Sequence, residues 1–207
     1  MLELVQAGGW LMLPILVCSV IAMAIVLERL WTLRRRRVMP AGLVAGIRDR
    51  HSRGQLTVEH LAQVRKASPL GRVLTASLAN REYSREVMKE AIQDTGRQVV
   101  AELGRYIDTL GTIASVTPLL GLLGTVVGMI EVFGVIMDAG VGDPAVLAGG
   151  ISKALITTAA GLSVAIPTLM FYRYFNSKLD ELAIGMEEQA LELVEVIAGE
   201  RAGDSVG

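Results

Sequence analysis

The sequence predicts an all-α integral membrane protein with three transmembrane helices, the second and third of which extend into long cytoplasmic helices. Three runs contain no Asp, Glu, Lys, Arg or His: Leu4–Leu27, Thr109–Ile130 and Ala154–Tyr172. Each run is long enough to cross a bilayer, because about 20 apolar helical residues span the hydrocarbon. The mean hydropathy of +0.48 and the charged fraction of 20% agree with this class. A soluble α-helical domain is the alternative, but such a domain rarely contains three runs of this length.

Residues 1–33 are predicted to comprise an outer-side N-terminus and the first transmembrane helix. The first nine residues contain no Lys or Arg, so they lack the positive region of a signal peptide and the span is expected to remain uncleaved. Trp10 and Trp31 bracket the span as candidate interfacial anchors. The lone cysteine, Cys18, lies inside it and cannot form an intrachain disulfide.

Residues 34–108 are predicted to form a cytoplasmic helical loop region. They carry 15 Lys/Arg against eight Asp/Glu, and positive residues remain on the cytoplasmic side. The four arginines at 34–37 follow the first span directly, which favours this topological explanation over nucleic-acid binding. From residue 81 the pattern predicts an amphipathic helix that continues unbroken into the second span, since no proline occurs before Pro118. Its predicted stripe comprises Val87, Ala91, Asp94, Thr95, Val99, Leu103, Tyr106 and Leu110.

The rest of the chain divides into four predicted segments. They are a second transmembrane helix at 109–137, a short periplasmic turn at 138–150, a third transmembrane helix at 151–173, and a cytoplasmic C-terminal helix and tail at 174–207. The turn contains Gly-Asp-Pro and no Lys or Arg, as expected outside the cytoplasm. The last segment carries an apolar stripe with glutamates on its other faces, which is typical of a helical bundle. The stripe comprises Leu179, Leu182, Met186, Ala190, Leu193 and Ile197.

No pattern in the sequence indicates an enzyme, a cofactor or a metal site. The chain has no glycine-rich phosphate loop, no nucleophile elbow and no carboxylate pair in a catalytic context. His51 and His60 are nine residues apart and have no second pair of ligands nearby in sequence, so metal binding there is not expected.

The second and third spans each present a face of small and hydroxyl-bearing residues at helical spacing. Such faces suit either a tightly packed helix pair or the wall of a passage that receives a partner helix. A proton site within a membrane usually needs an ionisable group, and none of the three runs has one. A proton path would therefore need a carboxylate from another chain, or hydroxyls and water. The two faces comprise Thr117, Gly121, Thr125 and Gly128 in the second span, and Ala154, Thr158, Gly161 and Ala165 in the third, beside Thr157.

Two segments resemble the signature spans of the ExbB/TolQ/MotA family of proton-channel proteins. They are TPLLGLLGTVVGMIEVF (117–133) and GISKALITTAAGLSVAIP (150–167). The three-span plan, the large first loop and the short outer turn are also similar to ExbB and TolQ, whereas MotA-type proteins have a fourth span. The resemblance covers essentially the whole chain and is specific in those two segments; the first span and loop match in layout only.

The resemblance to ExbB implies a subunit of the bacterial inner membrane with a periplasmic N-terminus and a cytoplasmic C-terminus. It implies a homopentamer around a dimer of single-span ExbD-like subunits, which carry the proton-accepting aspartate and pass force to a TonB-like protein for outer-membrane transport. Lipid is the surrounding medium, and no nucleic acid, cofactor or metal is implied. A TolQ-like role in the Tol-Pal envelope-integrity system is the alternative within the family. A passive helical membrane scaffold is the alternative from another class.

The resemblance also assigns roles to individual residues. Thr125 and Thr158 match the family's pore threonines, and Thr157 and Thr117 are grouped with them on the expected proton pathway. The helix-packing residues are expected to be Gly121, Gly128, Ala154, Gly161 and Ala165. Glu131 and Lys153 are expected at the outer rim, where Lys153 stands in place of a glutamate common in the family. It is expected to pair with Glu131 or Asp143.

Overall fold

The computed structural model describes residues 9–81, 83–139 and 144–204, and all regular structure within these ranges is helical. Three helices are long and apolar enough to cross a membrane: Met12–Thr32, Ile107–Met137 and Leu147–Ile197. The predicted all-α membrane fold with three candidate spans is thus confirmed. The helices are α1 (Met12–Thr32), α2 (Arg35–Val38), α3 (Leu43–Ser52), α4 (Val58–Ala67), α5 (Pro69–Ala79), α6 (Arg85–Leu103), α7 (Ile107–Ala139) and α8 (Pro144–Asp204).

The chain divides into two compact units. The membrane unit comprises Met1–Glu28 and Tyr106–Tyr174, and the helical unit comprises Arg29–Arg105 and Phe175–Gly207. The long helix α8 contributes its first half to the membrane unit and its second half to the helical unit.

In the membrane unit, α1 buries one narrow stripe and leaves the rest of its apolar surface open. Ile15, Ala22 and Val26 are buried, at spacings of seven and four that place them on one helical face. By contrast Leu13, Val20, Leu27 and many other large apolar side chains of α1 are exposed. An apolar surface of this size is unsuited to water and suits contact with lipid.

The helical unit is a set of short helices with locally encoded starts. Hydroxyl side chains cap three of them: Thr57 accepts from the His60 amide, Ser68 from the Gly71 amide, and Ser84 from the Val87 amide. Each cap satisfies an amide that the first helical turn leaves without a partner. The core beneath these helices is apolar and includes Ile47, Leu70, Leu74, Leu78, Met88, Ile92 and Phe175.

The C-terminal half of α8 follows the predicted stripe. Leu182, Met186, Ala190, Leu193 and Ile197 are at most 2% exposed, while Leu179 is half-buried. Glu181, Glu187, Glu188, Glu192 and Glu195 lie on its other faces and are exposed. Three of them form ion pairs, and Glu181 pairs with Lys178 on the same helix at 2.7 Å. Glu192 lies 2.5 Å from Arg48 and Glu195 lies 2.7 Å from Arg85. These exposed pairs contribute about 0–1 kcal/mol each, so the apolar stripe carries the packing.

The predicted stripe of α6 is correct only in its C-terminal half. Val99 and Leu103 are buried as expected, but in the N-terminal half Met88 and Ile92 are buried and Val87 is 38% exposed. In this half the predicted stripe lies one residue before the buried one, because Val87 and Ala91 have the same four-residue spacing as the buried Met88 and Ile92. Packing against neighbouring helices decides which of two adjacent apolar rows faces inward.

The expected unbroken passage from the amphipathic helix into the second span is wrong. The hydrogen-bond ladder of α6 ends at Leu103 with Gly104 as its C-cap, and α7 begins at Ile107. Between them Tyr106 has a φ of +68°, a left-handed conformation that costs a non-glycine residue about 1 kcal/mol or more. Within the helical unit, Arg29 is 5% exposed and donates to the Leu103 carbonyl at 2.7 Å. This bond satisfies one of the carbonyls left open at the end of α6.

Candidate functional site: the threonine–glycine interface of the second and third spans

Helices α7 and α8 pack antiparallel within the membrane unit. Contacts join Gly111 to Tyr172, Gly121 to Thr158, and Gly128 to Ala154. Residue numbers rise along one helix as they fall along the other, so the two spans face each other over most of the second span. The predicted small faces therefore meet each other.

Glycine permits the backbones to approach closely at the centre of this interface. A Cβ atom added to Gly161 would lie 2.7 Å from the Thr117 carbonyl oxygen and 3.1 Å from the Gly121 Cα. A Cβ at Gly121 would lie 3.0 Å from the Thr158 Cα. The obstructing atoms are mainly backbone, which cannot rotate away as a side chain can. The interface therefore requires glycine at both positions, in the manner of close transmembrane helix pairs.

The interface toward the C-terminal end of α7 is also made of small residues. A Cβ at Gly128 would lie 2.9 Å from the Cβ of Ala154, and Ala154 is 3% exposed. Ala165, nearer the other end of the span, is 4% exposed. The five expected packing residues thus all lie at buried positions of the membrane unit.

Two of the four threonines named by the sequence are buried in the helix pair. Thr117 is 0% exposed and its hydroxyl donates to the Ile113 carbonyl at 2.6 Å. Thr157 is 1% exposed and its hydroxyl donates to the Lys153 carbonyl at 3.0 Å. Within one chain, both side chains are part of the packing.

The other two threonines, Thr125 of α7 and Thr158 of α8, are partly accessible, and both hydroxyls bond to carbonyls at nearly the same height along α7. Thr158 donates across the interface to the Gly121 carbonyl at 2.8 Å, and Thr125 donates within its own helix to the Leu122 carbonyl at 2.6 Å. The two accepting carbonyls belong to consecutive residues, which differ in height by about 1.5 Å along a helix. The structure thus brings these two hydroxyls, predicted from different spans, to the same depth.

An ion pair joins the C-terminal part of α7 to the N-terminal part of α8. Lys153 Nζ lies 3.1 Å from Glu131 Oε2, and the two side chains are 39% and 56% exposed. This contact confirms the expected pairing of Lys153 with Glu131, whereas Asp143 lies outside the described residues. Because both groups are substantially exposed, the pair is solvent-screened and contributes about 0–1 kcal/mol.

The described residues contain no group of three His, Cys, Asp or Glu side chains arranged to hold a metal ion. His60, considered above, has its Nδ1 atom 3.4 Å from an Arg50 guanidinium nitrogen.

Three further glycines contribute to the interface and were missed by the sequence analysis. Gly124 contacts the Thr157 side chain, Gly150 contacts Val132, and Gly111 contacts the ring of Tyr172. A signal for Gly124 was present, because it lies three residues after Gly121 and four before Gly128. That spacing widens the small face of the second span into two adjacent rows.

Comparison with known proteins matches the part of the chain that contains α7 and most of α8. The MotA/TolQ/ExbB proton channel family matches residues 65–188, which include the second span and the small-residue face of the third. An ExbB-like biopolymer transport protein of Synechocystis sp. is 35% identical over 82% of this chain and 68% of its own length. Biopolymer transport protein exbB1 of Vibrio cholerae is 31% identical over 81% of this chain and 75% of its own length. An ExbB homologue of Methanothermobacter thermautotrophicus is 29% identical over 87% of this chain and 64% of its own length.

The family match covers more than half of the chain, and relatives named ExbB match most of it. The three candidate spans add that the protein is a multi-pass membrane protein. The chain belongs to the MotA/TolQ/ExbB proton channel family.

Proposed function

We propose that this chain is a non-enzymatic proton-channel subunit of the bacterial inner membrane that acts with an ExbD-like partner. Together they couple the proton motive force to a TonB-like protein for energised outer-membrane transport. Membership of the proton channel family and the ExbB-named relatives support this class of function.

The observation that carries the proposal is the pair of hydroxyls at one depth of two spans whose uncharged runs, Thr109–Ile130 and Ala154–Tyr172, supply no carboxylate. The hydroxyls of Thr125 and Thr158 each donate a hydrogen bond to a backbone carbonyl. Each hydroxyl oxygen therefore retains lone pairs that can accept a hydrogen bond. A protonated carboxyl on a partner helix, or a water molecule, can donate to them. When the carboxyl is ionised, a hydroxyl can rotate from its backbone acceptor toward the carboxylate. The same two side chains thereby serve both protonation states.

The buried threonines have a supporting role in this proposal. Thr117 and Thr157 are enclosed by the α7–α8 pair, and their hydroxyls are held by carbonyls one turn earlier on their own helices. They fix the separation of the two spans and so position Thr125 and Thr158.

The assembly in this proposal is a homopentamer around two ExbD-like helices, with a periplasmic N-terminus and a cytoplasmic C-terminus. The excess of positive charge between residues 34 and 108 supports that orientation. The exposed apolar surface of the span helices supports further helix–helix and helix–lipid contacts, since a lone chain leaves Leu119, Leu122 and Val126 open.

The test replaces the hydroxyls while preserving side-chain shape. Thr125→Val and Thr158→Val are co-expressed with the cognate single-span partner, and proton-motive-force-dependent outer-membrane uptake and dye-reported proton flux in vesicles are measured. Thr112→Val is the matched control, because Thr112 is an exposed residue of α7 whose hydroxyl also bonds to its own helix, at Asp108. Both site variants are expected to lose flux and uptake while the complex with the partner still assembles.

The outcomes separate the competing functions. A passive scaffold tolerates both near-isosteric changes, so full uptake and flux in both variants would refute the role of the hydroxyls. Loss in Thr112→Val to the same extent would show that any hydroxyl loss in α7 disturbs the protein. If flux falls in the site variants and the phenotype concerns envelope integrity rather than uptake, the TolQ-like alternative replaces the ExbB-like one.

A further inference from the structure

An arginine-lined cavity of about 670 Å³ lies among residues of the helical unit. Its walls are α2 and the segment after it, the first turn of α3, and one stretch of α8. Arg35, Arg36 and Arg48 contribute three positive charges, and Glu192 is the only carboxylate among the described residues that line it. The cavity therefore carries an excess of two positive charges and is of a size typical of small-ligand sites.

The walls of this cavity are anchored in the core. Val38 and Met39, which follow the arginines, are 1% and 6% exposed, and Ile47 on α3 is 1% exposed. Met39 packs against Gly185 of α8 so closely that a Cβ there would lie 2.9 Å from the Met39 Cε. The arginines are thus attached to a fixed backbone rather than to a loose tail.

The donors around the cavity are incompletely satisfied. The Arg48 Nη2 atom bonds to Glu192 at 2.5 Å, but its Nε atom is the one buried side-chain nitrogen or oxygen among the described residues that has no hydrogen-bond partner. Arg35 and Arg36 form no ion pair with any described carboxylate. The hydrogen bond from Lys178 lowers the pKa of Glu181, and the positive charge of Arg35, beyond ion-pair distance, adds to that lowering. The first turn of α3 lines the cavity without a side-chain cap, since its N-cap is Gly42. Amides of an uncapped first turn and arginine forks both favour an anion with several oxygens.

The position of the arginines in the chain indicates which anion is available. The first candidate span ends at Thr32, and Arg35 follows three residues later. The Cα atom of Arg35 is therefore at most about 11 Å from that of Thr32. Trp31 is 53% exposed, and the Arg37 guanidinium stacks over its ring at 3.4 Å. Exposed tryptophan at the end of a span is typical of the lipid headgroup level. Met39, Pro40 and Val44 add apolar wall beside the charges.

From these observations we propose that the cavity binds the phosphate of an anionic phospholipid headgroup. The phosphate is held by Arg35, Arg36 and the free donors of Arg48, with the first turn of α3 adding its amides. The proposal depends on the protein being in a membrane and is independent of the proton path through Thr125 and Thr158.

The test titrates the purified full-length protein, in neutral detergent, with phosphatidylglycerol and with phosphatidylcholine, and counts bound lipids by native mass spectrometry. The wild type is expected to prefer phosphatidylglycerol. The lining variant Arg35→Gln/Arg36→Gln is expected to lose at least about tenfold in affinity, since it removes donors that contact the phosphate and a hydrogen bond to a charged group contributes about tenfold or more. The matched control Arg34→Gln/Arg37→Gln removes the same charge from the same run, outside the lining, and is expected to retain most of the affinity.

A third variant guards against a loss caused by misfolding. Glu192→Gln removes the carboxylate that competes for Arg48 and is expected to tighten phosphatidylglycerol binding by up to about fivefold, the strength of an exposed ion pair. Equal losses in the lining and control pairs, or no preference for phosphatidylglycerol in the wild type, would overturn the proposal. Titration with glycerol 3-phosphate identifies the source of the phosphate. If it binds as tightly as the lipid and with the same dependence on the lining pair, the ligand is a soluble phosphate compound and the lipid assignment is wrong.

Discussion

The close contact of α7 and α8 at Gly161 allows a quantitative prediction from a single methyl group. In Gly161→Ala, the added Cβ stands 2.7 Å from the Thr117 carbonyl oxygen and 3.1 Å from the Gly121 Cα, where about 3.5 Å or more is comfortable. Since both obstructing atoms are backbone, the helices must separate locally. Overpacking of this kind costs about 1–3 kcal/mol. Alanine also gains about 1 kcal/mol over glycine from helix propensity, which partly offsets the clash.

A matched alanine substitution isolates the clash from the propensity. Gly149 lies in the same helix, and a Cβ there meets nothing within 4 Å. Gly149→Ala should gain the propensity term alone, so the two variants should differ by about 1–3 kcal/mol. The measurement is thermal unfolding of both proteins in the same detergent, followed by the helical circular dichroism signal. Gly161→Ala should unfold at the lower temperature, and Gly161→Leu lower still.

An equal or higher midpoint for Gly161→Ala than for Gly149→Ala would refute the reasoning. It would mean that the two spans can separate without loss, and that Gly161 is not needed for close approach. The cross-span hydrogen bond from Thr158 to Gly121 provides a second readout, because separation at Gly161 should weaken it.

Three further predictions concern the charged residues. Lys153→Ala should lower the free energy of unfolding by no more than about 1 kcal/mol, because the pair of Lys153 with Glu131 is exposed. It should also retain proton-motive-force-dependent uptake, and complete loss of uptake would show an essential role. Arg29→Met should destabilise the protein by about 1.5–3 kcal/mol, because it leaves the buried Leu103 carbonyl at the end of α6 without its charged donor. Thermal or denaturant unfolding measures this loss, and wild-type stability would mean that water replaces the donor fully. The hydrogen bond from Arg72 lowers the pKa of Glu102 in the folded protein below its ordinary value of 4.5. The pair therefore adds its full stability above the ordinary value, and this stability is lost as the pH falls through the lowered pKa of the folded state. Glu102→Gln should therefore flatten the acid side of the stability profile slightly, and an unchanged profile would contradict a contribution from this exposed pair.

Much of the fold followed from the sequence because its signals are local. A run without charge has no alternative to burial in lipid or in a large core, so the lengths of three runs were sufficient to identify the spans. The stripe from Leu182 to Ile197 was identifiable because its residues recur at three-and-four spacing and the glutamates of this segment lie outside it. The sequence narrowed the partner of Lys153 to Glu131 or Asp143, because both carboxylates lie near the connection between the second and third spans, and the structure pairs it with Glu131.

The candidate site was predicted in its residues but not in their division of roles. Spacing placed four threonines on small faces, yet it could not show that Thr117 and Thr157 are enclosed while Thr125 and Thr158 remain partly accessible. Helical periodicity defines which residues share a face, and it leaves open the rotation of each helix relative to its neighbour. The same ambiguity shifted the predicted stripe of α6 by one residue.

Other features were decided mainly by the tertiary structure. The end of α6 at Leu103 has one local signal, the C-cap Gly104, and no proline. It also involves a left-handed Tyr106 and a carbonyl that accepts from Arg29, 74 residues away in sequence. The arginine-lined cavity joins residues near 36 and 48 to Glu192 of the last helix, a proximity that no sequence window contains.

The sequence by itself thus determined the class, the spans and the chemistry of the small faces, because hydrophobic burial and helical spacing act within a few turns of chain. Only the tertiary structure decided which faces meet, which hydroxyls stay accessible and which arginines line a common cavity, because those outcomes depend on packing between residues far apart in the chain.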